Sequence, residues 1–476
     1  MKAFDTAMES SAFEFREQLE RRGFQAKEGE LVGQVDGAPS VRVRVILPDA
    51  FPYVPPVVKP PEDFPRSWHR EASGAMCLYG VDGRENLPWL NVDDFLAIVT
   101  RWLNESTAGW TDDSPDLDLE RYFPHEAGPL VVYGDLDSLT GRFIQLKLHG
   151  VVVRVTGPGS IPARARGMKG NRTFGYVTAI GQPEAPPTSW SELRALIPSK
   201  DVATIEKAVR DGRIEYLIVR YTRGDVMAAL ALRMRRSVVG IGLVSVDSAS
   251  ETADTMTLRT GSGATILGQR SVVVVGAGAV GSFLCDLLAR SGVGRLTIYD
   301  PDIVRPGNLV RHLAGYDRVG QPKPNAVRQV IRAQPFNMTD VTAVPQAAPP
   351  PHDAAALFSE FDLVIDATAD GSATAVLADV ARAEGSRLLS VCVQEDGQVV
   401  RVDVIPPIDG EAMPPTSTIA RPGMPRERRL EAGCGDPVSL TPPFACVEAA
   451  SLAARLAVGL LSGQPIPPAG VLCDYR

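Results

Sequence analysis

Apolar and polar residues alternate differently along successive parts of the chain. Residues 13–19 place apolar positions among charged ones with a spacing that predicts an amphipathic helix. The run 41–47 opens with alternating valines and arginines, which predicts a half-buried strand, and a proline-dense stretch follows at 48–65. Helical spacing returns at 92–104, with Asn91 as the predicted N-cap. Helices and a strand together indicate an α+β domain.

Two further parts follow an acidic run at 111–120. The middle part mixes short strands with a predicted helix around 200–211, and it contains no motif that carries chemistry. In the last part, apolar runs such as Val272–Val275 alternate with helical segments, which predicts a parallel, doubly wound sheet. The sequence thus predicts an α/β and α+β multidomain protein. Its three predicted domains are an α+β domain at 1–125, a mixed linker domain at 126–264 and a Rossmann-like α/β domain at 265–476.

Composition places the chain among soluble proteins. Its 476 residues exceed one ordinary core, and a net charge of −8 without a basic tract gives no attraction to nucleic acid. The N-terminus lacks the layout of a signal peptide, and the apolar stretch Ser271–Cys285 is too short to span a bilayer. None of the six cysteines forms a C-x-x-C pair, which fits reduced thiols. We therefore expect a cytoplasmic protein with neither membrane nor nucleic acid as partner.

A glycine-rich turn follows the apolar strand of the last part. Gly276, Gly278 and Gly281 allow a sharp turn and a close approach of backbone to phosphate, at the N-terminus of a helix. Asp300 ends the next strand, where a carboxylate can bond a ribose hydroxyl. This signature predicts a nucleotide site but does not by itself separate ATP from NAD.

The residues after the second strand favour ATP. Asn308, Arg311 and Lys323 follow in close succession, and a nucleotidyl transfer needs such groups because negative charge grows on the triphosphate. An NAD-dependent oxidoreductase, the alternative from another enzyme class, has no such need.

Residues 265–370 resemble the ThiF/MoeB and ubiquitin-activating enzyme family of adenylating proteins. The resemblance rests on GAGAVG, GVGRLTIYDPDIVRPGNLVRH and VGQPK, in that order and spacing. It implies that ATP is bound by the three glycines, with Asp300 on the ribose and with Asn308, Arg311 and Lys323 on the phosphates. It also implies a homodimer built on this domain. The zinc-binding cysteine pairs of the family are missing, so no zinc is expected.

The sequence departs from this family after the strand VIDAT. The family normally continues with Asp-Asn, and that aspartate helps to hold Mg²⁺. Here Ala369 stands at the aspartate position and Asp370 follows it. We assign Asp370 to magnesium, with Asp366 as a structural residue or a further ligand.

An activating enzyme that keeps its product as a thioester also needs a nucleophilic cysteine. Cys434 follows a stretch rich in Pro, Arg and Gly at 406–430, and its Gly-Cys setting is similar to the crossover-loop cysteine of bacterial activating enzymes. Cys285, Cys392 and Cys446 have apolar neighbours typical of buried thiols. Cys434 is therefore the predicted acyl acceptor.

A second thiol lies in the N-terminal part. This part resembles the ubiquitin-conjugating enzyme fold in its prokaryotic variants. The resemblance rests on Phe51–Pro56, on Gly74–Leu78 around Cys77, and on Trp89. The resemblance implies that Cys77 is a catalytic thiol. His69 stands eight residues before Cys77, where the family has an asparagine, and it could donate to an oxyanion, deprotonate an amine or hold the loop.

Together, the two resemblances imply consecutive steps of one pathway. Such fusions are similar to the conjugation proteins of CBASS antiphage operons. The implied reaction passes a protein C-terminus from an adenylate to Cys434, then to Cys77 and finally to a target lysine or a small nucleophile. The implied partner is a cGAS-like nucleotidyltransferase or a ubiquitin-like protein. The remaining alternative is an N-terminal domain that binds a partner without catalysis.

Overall fold

The computed structural model divides the chain into two compact units, Met1–Thr252 and Ala253–Arg476. It describes residues 2–37, 40–80, 86–111, 117–160, 171–237, 240–335, 337–415, 429–430 and 437–476. The first unit contains both the predicted N-terminal domain and most of the predicted linker domain. The domain borders near residues 125 and 264 stay predictions.

The N-terminal part of the first unit is a helix, an antiparallel meander and a second helix. The elements are α1 (Lys2–Arg21), β1 (Gln25–Lys27), β2 (Glu30–Val35), β3 (Val41–Ile46), β4 (Val57–Lys59) and α2 (Val92–Ala108). The strands pair in the order β1-β2-β3-β4. Asn91 caps α2, since its Oδ1 accepts hydrogen bonds from the amides of Asp93 at 2.9 Å and Asp94 at 3.2 Å. The strand and the capped helix confirm the predictions.

A second, larger sheet completes this unit. Its elements are β5 (Leu130–Tyr133), β6 (Arg142–His149), β7 (Val152–Pro158), β8 (Arg172–Ala179), α3 (Trp190–Leu196), α4 (Ser199–Arg210), β9 (Tyr216–Arg223), β10 (Val226–Ser237), β11 (Gly240–Ser245) and β12 (Ser248–Ser250). The described strands are ordered β11-β10-β9-β8-β6-β7-β5-β12. Because β11 and β12 lie at opposite ends of this order but only two residues apart in the chain, the sheet is strongly curved. The predicted helix at 200–211 is confirmed as α4.

The second unit is an α/β domain. Its elements are α5 (Ala253–Thr257), α6 (Ala264–Leu267), β13 (Ser271–Val275), α7 (Gly281–Arg290), β14 (Arg295–Tyr299), α8 (Lys323–Arg332), β15 (Asp340–Val344), α9 (Pro351–Glu360), β16 (Leu363–Asp366), α10 (Gly371–Ala383), β17 (Leu388–Gln394), β18 (Val399–Ile405), β19 (Arg429–Leu430), β20 (Pro437–Val438), α11 (Pro443–Ser462) and β21 (Gly470–Asp474). The main sheet is ordered β15-β14-β13-β16-β17-β18-β21. The pairs from β15 to β17 are parallel, which confirms the predicted class. The antiparallel edge formed by β18 and β21 was not predicted.

Strand order places a ligand site in this sheet. From β13 the chain moves outward to β14 and β15, and it then returns to β16 on the other side of β13. Such a reversal opens a crevice at the carboxyl ends of the central strands, which is where ligands bind in open α/β sheets. The glycine loop leaves β13 at this point.

Helix α11 is strongly apolar. By length and composition it could cross a membrane, with a mean hydropathy of 1.7. In the structure, 56% of the most apolar 18-residue stretch of this helix is buried, and residues such as Ala449, Ala453 and Leu456 lie in the core of the second unit. It packs as a core helix against the central sheet.

Candidate functional site

A cavity of about 540 Å³ opens at the carboxyl ends of β13, β14 and β16. The glycine loop, the end of β14 and the start of α10 form its polar side. Its lining includes Gly276, Gly278, Asp300, Lys323 and Asp370, five of the predicted nucleotide-binding residues. Tyr299, Val376, Leu377 and the segment 347–351 supply an apolar side.

Two glycines of the loop are required by packing alone. Gly276 has φ +100°, and a Cβ there would lie 2.7 Å from the carbonyl group of Ala367. A Cβ on Gly281 would lie 1.9 Å from the carbonyl oxygen of Gly276. A Cβ on Gly278 would meet no atom of the described residues within 4 Å, and this glycine lines the cavity. The first and third glycines thus shape the loop, whereas the second leaves room beside it.

Ala277, between the first two glycines, is held at both of its backbone polar groups. The Asp300 carboxylate, 7% exposed, accepts a hydrogen bond from the Ala277 amide at 2.7 Å and one from the Asp302 amide at 2.8 Å. His312 Nε2 lies 2.8 Å from the Ala277 carbonyl oxygen. Because the Ala314 amide donates to His312 Nδ1 at 3.0 Å, Nε2 carries the proton and donates to Ala277.

His312 was missed by the sequence analysis. It is 6% exposed, and burial lowers its pKa below the ordinary value of histidine, with the Lys323 charge acting in the same direction. The carbonyl of Ala277 and the charge of Asp300 oppose this shift. A histidine next to Arg311 in the motif carries no distinguishing pattern, so its contact with the loop could be found only in three dimensions.

Lys323 contributes the positive charge of the cavity. It begins α8, and its Nζ donates to Asp302 Oδ2 at 2.8 Å while its side chain is 12% exposed. Asp302 is 67% exposed at its side chain. The ammonium group is therefore held near the cavity by a solvent-exposed carboxylate.

Asn308 and Arg311 do not line this cavity. The Asn308 side-chain oxygen accepts from the Arg305 amide at 3.0 Å at the start of the 3-10 helix Pro306–Arg311. Arg311 Nη1 donates to the carbonyl oxygen of Ser439 at 2.9 Å. Their assignment to the phosphates stays a prediction.

The two acidic residues after β16 differ in what surrounds them. Asp366 is 1% exposed, and each of its carboxylate oxygens already accepts two hydrogen bonds. The donors are the Thr368 amide and the hydroxyls of Thr368, Thr374 and Ser390. Asp370 is exposed, caps α10 with Oδ1 and lines the cavity. The geometry therefore fits a structural role for Asp366 and leaves Asp370 as the carboxylate that faces a ligand.

Ala369 adopts a left-handed conformation, with φ +54°, and lines a different cavity on the other side of α10. Asp370 faces the crevice of the glycine loop instead. The one-residue shift of the carboxylate relative to the family pattern thus keeps it on the crevice.

In the first unit, the structure brings His69 and Cys77 together. The Cys77 amide donates to the His69 carbonyl oxygen at 2.9 Å, and Trp102 Nε1 donates to the same oxygen at 3.1 Å. The His69 ring stacks on Trp110 with a centroid distance of 3.7 Å. Both residues are half-buried. The sequence pattern predicts that His69 lies near Cys77, but nothing in it indicates Trp102 or Trp110 as neighbours.

A buried arginine shapes the loop between them. Arg70, 7% exposed, donates through Nη1 to the Phe64 carbonyl at 2.6 Å and through Nη2 to the Gly74 carbonyl at 3.0 Å. An isolated bridge pairs Arg70 with Met76. The segment before Cys77 is thus wrapped around a guanidinium group, and burial lowers the pKa of that group.

Three of the other thiols have a raised pKa because they are buried or half-buried. Cys434 lies outside the described residues. Burial raises the pKa of Cys285 and of Cys446, and burial together with the Asp403 charge raises the pKa of Cys392 to about 11. These three thiols are poor sources of thiolate, as the sequence analysis predicted for buried cysteines.

A parallel sheet with a glycine loop at its point of reversal defines a Rossmann-like nucleotide-binding domain. Residues 257–473 match the model of the ThiF family, so the chain has a C-terminal ThiF domain.

Curated relatives resemble the chain over shorter lengths. The uncharacterized protein y4oA of Sinorhizobium fredii is 36% identical over 26% of this chain and 23% of its own length. The ATP-dependent ubiquitin transferase-like protein Cap2 of Vibrio cholerae is 30% identical over 24% of this chain and 20% of its own. Molybdopterin-synthase adenylyltransferase of Escherichia coli is 40% identical over 20% of this chain and 39% of its own. The chain thus matches less than half the length of each of these relatives.

Replacing single glycines should distinguish the position that packing restricts to glycine from the position that has room for a side chain. Gly281→Ala forces its Cβ against the Gly276 carbonyl, and we expect it to lower the free energy of unfolding by about 1–3 kcal/mol. Gly278→Ala, with open space at that position, should change it by no more than about 0.5 kcal/mol. Urea unfolding of both variants measures this difference, and equal losses would contradict the steric account.

Protonation of His312 should destabilise the loop. The neutral ring is bonded in the folded state and its pKa is lowered there, so its stabilising contribution is complete above about pH 6.5 and declines as the pH falls below that value. The non-titrating variant His312→Gln should lose less stability between pH 7.5 and 5.5 than the wild type. The difference in slope should not exceed about 1.4 kcal/mol per pH unit. Parallel urea-unfolding profiles for the two proteins would argue against this role.

Proposed function

We propose that the second unit activates a protein C-terminus as an acyl-adenylate at the expense of ATP. The observation that carries this proposal is the meeting of the glycine loop, Lys323 and Asp370 in one crevice of a ThiF domain. Loop amides and the N-terminus of α7 suit phosphate oxygens, and the apolar side of the cavity suits a base. A ligand with both parts is a nucleotide.

In the proposed reaction, an oxygen of the C-terminal carboxylate attacks the α-phosphorus of ATP. The bond from that phosphorus to the bridging oxygen of the β-phosphate breaks, and pyrophosphate leaves with the electron pair. Lys323 lies where it can stabilise charge on the phosphates, exchanging its contact with Asp302 for one with the nucleotide. Arg311 does not line the cavity and donates through Nη1 to the carbonyl oxygen of Ser439, so it would have to turn toward the crevice to join Lys323.

The residues present also fit a magnesium ion. Asp370 offers an exposed carboxylate on the crevice, and one of its oxygens is engaged by the helix amides of Ser372 and Ala373. Asp366 is saturated by hydrogen bonds and would act by fixing the turn. Among the described residues no group of three metal-binding side chains occurs, so the remaining ligands would come from phosphate and water. Such an ion would neutralise charge on the triphosphate.

We further propose that the acyl group then passes through two thiols. The Cys434 thiolate attacks the carbonyl carbon of the adenylate and AMP leaves. The Cys77 thiolate next attacks the resulting thioester, and the thiol of Cys434 is released. A target amine finally attacks the carbonyl carbon of the thioester on Cys77 and forms an amide, and the Cys77 thiol is released with the proton that the amine loses. The raised pKa values of Cys285, Cys392 and Cys446 support the choice of thiols other than these three.

Three observations support a conjugating role for the first unit. Its N-terminal part consists of a helix, a four-stranded meander, a cysteine-bearing loop and a second helix, an α+β arrangement that is compatible with a conjugating enzyme. His69 and Cys77 share a backbone hydrogen bond. A relative bears a name that refers to ATP-dependent ubiquitin transfer. The proposed substrate is a cGAS-like nucleotidyltransferase or a ubiquitin-like protein, and the expected homodimer is part of this proposal.

Pyrophosphate exchange tests the adenylation step. The full chain with ATP and each candidate acyl donor should exchange labelled pyrophosphate into ATP. Lys323→Ala should lower the rate by about 100-fold, as expected for loss of one group that stabilises transition-state charge. Lys200→Ala, which removes an exposed lysine of α4, serves as the matched control. Binding of NAD⁺ without ATP binding would instead favour the oxidoreductase alternative.

Trapping of thiol-labile adducts tests the relay. With ATP and the acyl donor, the wild type should form thioesters on Cys434 and Cys77 that thiols cleave. Cys77→Ala should keep pyrophosphate exchange and the adduct on Cys434, whereas Cys434→Ala should keep exchange and lose both adducts. Mass spectrometry of tryptic peptides identifies each site. An adduct on Cys77 that persists in Cys434→Ala would contradict the proposed order, and Cys473→Ala is the control.

A further inference from the structure

Trp68, the residue immediately before His69, is buried among side chains of the larger sheet. It is 7% exposed and belongs to a hydrophobic cluster with Tyr122, Tyr176 and Leu217 rather than to the cluster of the N-terminal meander. The loop that carries His69 and Cys77 is therefore attached through one side chain to the region whose role the sequence left open.

The contacts of the Trp68 ring form a socket on several sides. The Arg223 guanidinium lies 4.4 Å from the ring centroid, and the Tyr221 ring is stacked at 6.1 Å with an interplanar angle of 19°. Tyr122 meets the ring edge-on at 5.9 Å. The indole N–H donates to the Pro183 carbonyl oxygen at 3.1 Å. A buried indole with its N–H satisfied and a cation over its face is held in one orientation.

The peptide group of Trp68 is held as well. Its carbonyl oxygen accepts hydrogen bonds from the Tyr122 hydroxyl at 2.9 Å and from Arg121 Nη2 at 3.1 Å. The next carbonyl, that of His69, accepts from the Cys77 amide. Fixed contacts thus run from the larger sheet to Trp68, then to His69 and then to the backbone of Cys77.

A second attachment lies two residues upstream. Arg66 pairs with Glu192 at 2.7 Å through Nη1 and donates to the Pro186 carbonyl at 2.9 Å through Nη2. Glu192 belongs to α3, which packs on the larger sheet. The loop is therefore held at two points by residues outside its own meander.

We propose that the larger sheet of the first unit positions the Cys77 loop for acyl transfer, with Trp68 and Tyr122 as positioning residues. The inference rests on the proposed function of Cys77, but it assigns a role to a region for which no motif suggests one. A thioester carbonyl must be presented to its amine at a fixed angle, so a mobile loop slows transfer more than it slows loading.

Two variants of the full chain test this role. Tyr122→Phe removes the hydroxyl that donates to the Trp68 carbonyl and keeps the ring, while Trp68→Ala empties the socket. Tyr316→Phe, which changes an 80% exposed tyrosine of the other unit, is the matched control. The first readout is hydrogen exchange at the Cys77 amide. For the second readout, Cys77 is loaded from a synthetic Gly-Gly peptide thioester, whose thiol leaving group is released. The rate at which the acyl group then passes from Cys77 to free lysine is measured.

In Tyr122→Phe we expect the Cys77 amide to exchange about fivefold faster and lysine discharge to slow by about fivefold, as for loss of one ordinary hydrogen bond. The unfolding midpoint should match that of the control, so that a folding defect is not the cause. Trp68→Ala should show larger changes of both kinds and keep pyrophosphate exchange.

Unchanged exchange or unchanged discharge in Tyr122→Phe would overturn the inference. Because the synthetic thioester loads Cys77 without ATP, these readouts do not depend on adenylation. If the wild type never forms an ATP-dependent thioester, the proposed relay is refuted. If lysine discharge after synthetic loading is nevertheless slower in Tyr122→Phe than in the wild type, the positioning role of Trp68 and Tyr122 is supported.

Discussion

The crevice beside the glycine loop depends on the hydrogen bonds that fix Ala277. Its amide is held by the Asp300 carboxylate, and its carbonyl by the neutral ring of His312. The glycines on either side give the loop its freedom to turn, and these two contacts remove that freedom again at one peptide position. A preorganised loop can bind phosphate without first ordering itself, which saves entropy on binding. Asp300 thereby supports the loop in addition to its expected place beside a ribose.

Features of the second unit that depend on residues close together in the chain could be predicted from sequence. Buried strands, the glycine loop and the positions of Asp300 and Lys323 follow from residues close together in the chain, and all of these lie where a parallel sheet brings them. Arg311 could not be placed in this way, because it bonds the carbonyl oxygen of Ser439, 128 residues away. His312 escaped notice for the same reason, since its partner Ala277 is 35 residues away.

The first unit shows the same limit more strongly. The capped helix α2 and the strand β3 were predictable because capping and alternation are local. The curved sheet was not, because its order joins strands from both ends of a long segment. Trp68 is bonded to Pro183, 115 residues away, so that its role as an anchor had no signal in the sequence beyond the presence of a large aromatic side chain beside a histidine.

The shifted carboxylate illustrates how such a site tolerates a change in its motif. The turn after β16 is held by Asp366, whose four hydrogen bonds fix Thr368 and tie it to α10 and β17. With the turn fixed, Ala369 faces one side of α10 and Asp370 the other. A left-handed alanine costs about 1–2 kcal/mol, a strain that surrounding contacts must offset. The hydrogen bonds of buried Asp366 supply those contacts. Because they hold the turn, the exposed Asp370 carboxylate is not needed for that purpose alone and can serve a ligand at the crevice.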